Sequence, residues 1–189
     1  MRPLLAASFA AAALLAAAPA SAQLSLELRG GIGAGSYGAT SAGFQVVPQP
    51  AGSAALSWAF RPGVAAYAGY SLSRFGCERE GFCSGVEPVF TSQGLDAGVR
   101  LELPAGIWAR GGLVLHSLSG DSPAGEESTD AALGFGAGAG IGFRLGERLT
   151  LTPGLGYTRY GASGPSGDHP VAVVTADLGL RISLTGPRR

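Results

Sequence analysis

Residues 133–144 read L-G-F-G-A-G-A-G-I-G-F-R. Leu133, Phe135, Ala137, Ala139, Ile141 and Phe143 alternate with glycine until Arg144 closes the run. Side chains on a strand point to opposite faces in turn, so this is a ribbon with one hydrocarbon face and one nearly bare face. A soluble, half-buried strand carries polar groups on its second face. Glycine there implies a cramped interior, with the apolar face turned to something large and apolar. A helix does not fit. The apolar spacing is two rather than 3.6, and each glycine would cost a helix about 1 kcal/mol.

Seven further segments carry the same two-residue repeat: 24–34, 53–60, 64–74, 89–103, 107–118, 149–160 and 171–184. Their connections alternate in length. Arg61-Pro62-Gly63, Pro104-Ala105-Gly106 and Leu145-Gly146-Glu147-Arg148 read as tight turns. Between them lie longer stretches, 37–52, 75–88, 119–130 and 161–170, which read as loops. Eight segments of about ten residues, with short turns at one end and long loops at the other, predict an all-β, eight-stranded, antiparallel up-and-down transmembrane β-barrel. The short turns and both chain ends then lie in the periplasm.

Composition excludes several other classes. Charged residues make up 14% of the chain, against about 25% in an average soluble domain. Glycine accounts for 32 of 189 residues, without a collagen period. All thirteen basic residues are arginine, which rules out a P-loop lysine and a Schiff-base lysine. The formal net charge is zero, so nothing points to nucleic acid. Gly33-Ala34-Gly35-Ser36-Tyr37-Gly38 spells G-x-G-x-x-G, but no helix pattern follows to receive a pyrophosphate, so no dinucleotide site is expected.

The first 22 residues have the pattern of a signal peptide: Arg2, an apolar stretch from Leu4 to Ala18, and the small-x-small site Ala20-Ser21-Ala22. Pro19 and the cleavage motif argue against a membrane-spanning helix. The expected mature chain is a barrel over 23–185 with a short periplasmic tail, 186–189. The expected location is the bacterial outer membrane, after cleavage near Ala22. In that compartment disulfides persist, and Cys77 and Cys83 are expected to close a small loop.

On these repeats and connections the chain, from Gln23 to about Thr185, resembles the small eight-stranded outer-membrane barrels of the OmpA/OmpX type. The resemblance implies partners of outer-membrane lipid, lipopolysaccharide and the barrel assembly machinery, and leaves any extracellular partner open. Such barrels usually end on an aromatic residue that forms part of the assembly signal. Here the last segment ends at Leu184, followed by Thr185-Gly186-Pro187-Arg188-Arg189.

With the apolar face outward, alternation turns Glu27, Arg29, Asp96, Arg100, Glu102, Arg110, Arg144, Asp177 and Arg181 inward. A lipid-facing charge would cost about 2–4 kcal/mol at mid-bilayer, so the sorting is meaningful. An eight-stranded barrel is just wide enough for side chains to fill it. By strand direction Asp96 and Asp177 fall near the middle and the other seven in the periplasmic half, so the expectation is a barrel plugged from that side by arginine–carboxylate pairs. The outer half is expected to hold small groups, apart from Tyr67, His116 and Tyr160, with any cavity opening outward. Trp58, Phe60, Tyr70, Phe143 and Tyr157 read as interfacial girdles. Arg74 and Arg159, facing out near the outer rim, are candidates for lipopolysaccharide phosphate. Pro153, which lacks a backbone donor, predicts a bulge or kink.

Chemistry is sparse. The acids Asp121, Glu126, Glu127 and Asp130 lack calcium-loop spacing, and neither a metal nor a cofactor is expected. Some outer-membrane barrels deacylate lipid A with a strand His-x-Ser pair, but here Leu118 stands where the serine should be, and His116 points inward. Asp168 and His169 are adjacent in a loop and poorly placed to act together. The expected function is non-enzymatic: a structural, adhesive or surface-interaction barrel. The alternatives are a narrow channel or apolar-solute conduit, suggested by the uncharged first loop with Phe44, Val46 and Val47, then a lipid A enzyme or a soluble exported barrel.

Overall fold

The computed structural model describes residues 23–37, 46–77, 89–122, 125–164 and 167–185. Among these residues there are ten strands: β1 (Gln23–Tyr37), β2 (Val46–Arg61), β3 (Val64–Cys77), β4 (Val89–Glu102), β5 (Ile107–Ser122), β6 (Gly125–Ser128), β7 (Ala132–Ile141), β8 (Phe143–Arg144), β9 (Leu149–Gly164) and β10 (Gly167–Ser183). They make eight staves, because β6, β7 and β8 lie end to end. β5 pairs first with β6 and then with β7, and β9 pairs with both β7 and β8. Every pairing is antiparallel between chain neighbours, and β10 closes on β1 from Tyr37↔Val171 to Ser25↔Ser183. Closure joins the first stave to the last, which a sheet crossing lipid requires.

The outer surface is the hydrocarbon face predicted from the sequence. Leu133, Leu155, Leu113 and Leu95 are 66, 62, 60 and 59% exposed. Along β7 exposed and half-buried residues alternate without a break. Its glycines are required by what the adjacent staves place beside them. A Cβ on Gly134 would meet Tyr160, on Gly138 Arg110, and on Gly140 the Trp108 ring, at 2.6, 3.2 and 2.7 Å.

The tight turns lie together with the first and last described residues. Ser183 N–H donates to the Arg148 carbonyl, and Leu184 N–H to that of Leu24. Gly63 and Gly106 have φ of 73° and 79°, which glycine adopts without penalty.

The strands are longer than the repeats predict. β2 begins at Val46 and runs through Pro48 and Pro50, with a register shift between Pro48 and Ala51. β5 extends to Ser122, and β9 and β10 are paired from Gly164↔Gly167 inward. Much of what reads as loop at 119–130 and 161–170 is therefore paired strand. There the staves carry polar and small residues on both faces, so the pattern fades while the ladder continues.

Pro153 produces no bulge. β9 stays in unbroken register with β10 through Leu178↔Pro153. On its other side the ladder stops at Gly140↔Gly154 and resumes at Phe143↔Leu151 in the same register. The missing N–H removes a rung without adding a residue.

A lumen of ion pairs, with candidate functional groups at three depths

The lumen holds three layers. Nearest the chain ends is a carboxylate caged by cations. Glu27, from β1, is 2% exposed. It accepts from Arg29 Nη1 on the same face, from Arg100 Nη1 at 2.9 and 3.1 Å, and from Thr152 Oγ1 at 3.2 Å. Arg29 spends its remaining donors on Asp177, at 2.8 Å, and on the Thr152 carbonyl, at 2.9 Å. Just below, Glu102 pairs with Arg181 and lies 3.4 Å from Arg100 Nε. The guanidinium carbons of Arg29 and Arg100 each stand 4.5 Å from the centre of the Trp108 ring, which is 2% exposed. Two cations on one aromatic ring add attraction that no carboxylate supplies.

The middle layer is polar and contains a cavity of about 50 Å³, lined by Tyr67, Ser71, Asp96, Arg110 and Asp177 among others. Arg110 lies 5.7 Å from the Tyr67 ring centre. His116 sits just above. Its Nε2 donates to Asp96 Oδ1 at 2.9 Å and lies 3.2 Å from Ser71 Oγ. Nδ1 can then accept from Ser92 Oγ at 3.2 Å, while Tyr160 O–H donates to that oxygen at 2.8 Å. A tyrosine–serine–histidine–aspartate chain thus crosses the lumen.

The outer layer is apolar. Phe75, Leu118, Tyr160, Ala162, Val171 and Val173 form one buried cluster, with Phe90 and Ala132 packed against it. Phe75 and Phe90 stack with ring centres 5.6 Å apart. This corrects the expectation of small groups in the outer half. Phe75, Val171 and Val173 occupy the inward positions there.

The predicted inward residues separate into groups. Glu27, Arg29, Arg100 and Asp177 form the cage, with Glu102 and Arg181 attached. Asp96 does not join them; it belongs to His116. Arg110 and Arg144 make no ion pair among the described residues, so the nine residues are not one network. Arg144 is exposed at the mouth, beside a recess of about 830 Å³ that opens at the turn end and is also lined by Arg61, Arg148 and Arg181. A recess on this side differs from the expectation that any cavity opens at the other end. Trp108, Thr152, Ser71 and Ser92 were not singled out in the sequence. Alternation alone puts Trp108 on the inward face with Arg110, and that was the available signal.

Of the girdle residues, Trp58 and Phe60 have ring centres 6.1 Å apart, and Tyr70 and Phe143 are exposed. Tyr157 packs near Phe135 at 5.9 Å. Arg74 and Arg159 are exposed. Cys83 lies outside the described residues, and with it the expected disulfide to Cys77. So do the signal segment, 1–22, and the tail, 186–189. The side chains of Asp121, Glu126, Glu127, Asp168 and His169 are likewise not described. Among the described residues no group of three or more His, Cys, Asp or Glu side chains is placed to hold a metal ion.

A closed barrel with a hydrocarbon belt, charges inside, and turns and termini at one end is an outer-membrane β-barrel. The family match is specific. The chain belongs to the outer membrane protein beta-barrel domain family, whose model matches residues 7–181. Three solved structures are similar in fold. Neisserial surface protein A is 15% identical, with 87% of this chain and 99% of that one covered, at a TM-score of 0.59. Ail of Yersinia pestis, in complex with the heparin analogue sucrose octasulfate, is 14% identical over 85% and 99%, at 0.51. OprG of Pseudomonas aeruginosa is 13% identical over 84% and 95%, at 0.50. A comparison with curated protein sequences finds no match.

Proposed function

We propose that this protein is a non-enzymatic surface barrel: it anchors in the outer membrane, keeps its lumen closed, and presents its outer hairpins for structural, adhesive or other surface contacts. The observation that carries the reading is the Glu27 cage under the apolar outer cluster. Two layers of different chemistry fill the bore, and a channel needs neither. Removal of a signal peptide near Ala22 and insertion by the barrel assembly machinery complete the proposal.

The non-enzymatic reading is supported by the setting of Ser92. The serine has the partners of an activated nucleophile, but it is 2% exposed and lies under the Tyr160 hydroxyl. A nucleophile needs a path for its acyl substrate as well as a base.

The outward face is acidic. The connections at 75–88, 119–130 and 161–170 carry Glu78, Glu80, Glu87, Asp121, Glu126, Glu127, Asp130 and Asp168 against Arg79 alone. A sulfated polyanion of the kind in the Ail complex would be repelled here, and a basic partner surface favoured. Lipopolysaccharide remains a proposed neighbour through Arg74 and Arg159, which supply planar donors for phosphate.

The test is display and contact in intact cells. An epitope inserted at Arg79 should be labelled without permeabilisation. Purified protein should bind a basic protein surface in a salt-sensitive way that is lost when Glu126 and Glu127 become glutamine. Labelling only after permeabilisation would refute the orientation, and unchanged binding would refute the acidic contact face.

A further inference from the structure

The recess at the turn end is not used by this reading. It lies inside the barrel wall, and five arginines and two glutamates line it. At about 830 Å³ it falls within the range of small-molecule sites, ~300–1,000 Å³. Arg61, Arg144 and Arg148 make no ion pair among the described residues, and neither does the rim glutamate, Glu147. Arg181 and Arg100 share Glu102.

The floor supplies a second, independent observation. Ser57 and Arg100 are among the residues lining the recess, and their Oγ and Nε atoms are buried and have no hydrogen-bond partner among the described residues. The two residues are 3% and 2% exposed. Glu102 approaches Arg100 Nε only to 3.4 Å. Buried donors normally find acceptors, and two left open beneath a ring of unpaired guanidiniums define a place for an acceptor-rich ligand. With five arginines against two glutamates the lining carries a net positive charge, and low-dielectric walls concentrate its field inside the cleft.

We propose that this recess is a binding site for a soluble periplasmic solute carrying two or more carboxylate or phosphate groups. One acidic group lies between the guanidiniums of Arg144 and Arg148, and another reaches toward Ser57 and Arg100 on the floor. Planar guanidiniums recognise both kinds of oxyanion bidentately. An anionic lipid headgroup shares this chemistry but sits on the other side of the staves. The recess is bounded by lumen-facing residues such as Ser25 and Thr150, so a solute entering from the periplasm is the better fit.

The test is calorimetry on the protein in phosphatidylcholine nanodiscs, with citrate and pyrophosphate as probes and acetate as the monovalent control. Citrate or pyrophosphate should bind at least about tenfold more tightly than acetate. The double variant Arg144→Gln, Arg148→Gln should lose about tenfold or more in affinity while keeping the folded gel mobility. A matched pair at the opposite end, Arg74→Gln with Arg159→Gln, should bind like the parent. Absence of binding, or equal binding by parent and Arg144/Arg148 variant, would overturn the proposal. In nanodiscs containing phosphatidylglycerol, citrate should still bind. Complete loss there, with phosphatidylglycerol retained by the protein, would assign the site to lipid instead and overturn the solute.

Discussion

Glu27 makes the electrostatics of this barrel possible. Its two oxygens face Arg29, Arg100 and Thr152, so removing its charge takes the shared carboxylate from two buried guanidiniums, leaving Arg29 with Asp177 and Arg100 with Glu102 at 3.4 Å. Breaking a buried pair in this way costs about 3–5 kcal/mol. Glu27→Gln should lower stability by that amount in urea titrations of the membrane-reconstituted protein. Trp108→Ala removes both the ring under Arg29 and Arg100 and a large buried volume, and should cost about 3–5 kcal/mol in the same assay. At this scale the sequence was half legible. Alternation assigned each charge to a face, but pairing across the lumen depends on how staves are staggered. Strand direction places Asp96 near the middle of the lumen but does not name His116 as its partner. Counting back from the Pro104-Ala105-Gly106 turn puts Gly94 opposite His116, within a residue or two of the true contact.

Among the elements, the glycine run of β7 shows how a neighbour's side chains dictate a strand's composition. Gly140 faces Trp108, and a Cβ there would come within 2.7 Å of the ring and 2.1 Å of the Pro153 carbonyl. Gly140→Val should fail to give the compact, heat-modifiable band on a gel, whereas Leu133→Ala on the opposite face should still give it. Leu155, on β9 facing out, reports on lipid. Leu155→Arg should cost about 2–4 kcal/mol in bilayers if it lies near the midplane. Strand existence and facing were readable because lipid enforces a strict two-residue repeat. The outer ends of β2, β5, β9 and β10 were misread as loop because no such constraint acts beyond the bilayer. Pro153 was misread because a proline can cost a ladder one rung without displacing its register.

Across the whole molecule, charge is sorted along the barrel axis. Acids dominate the long connections, ion pairs lie inside the barrel, and arginines without an ion pair among the described residues ring the mouth at the turn end. None of this shows in a net charge of zero. The closed bore is the central claim, and it depends on the Glu27 cage and the Phe75–Tyr160 cluster acting in series. Steady current through purified protein in a planar lipid bilayer tests it most directly. The account predicts a bilayer that stays electrically silent, at most with brief flickers when a side-chain layer opens. A stable, ohmic conductance that scales with the number of inserted molecules would contradict it.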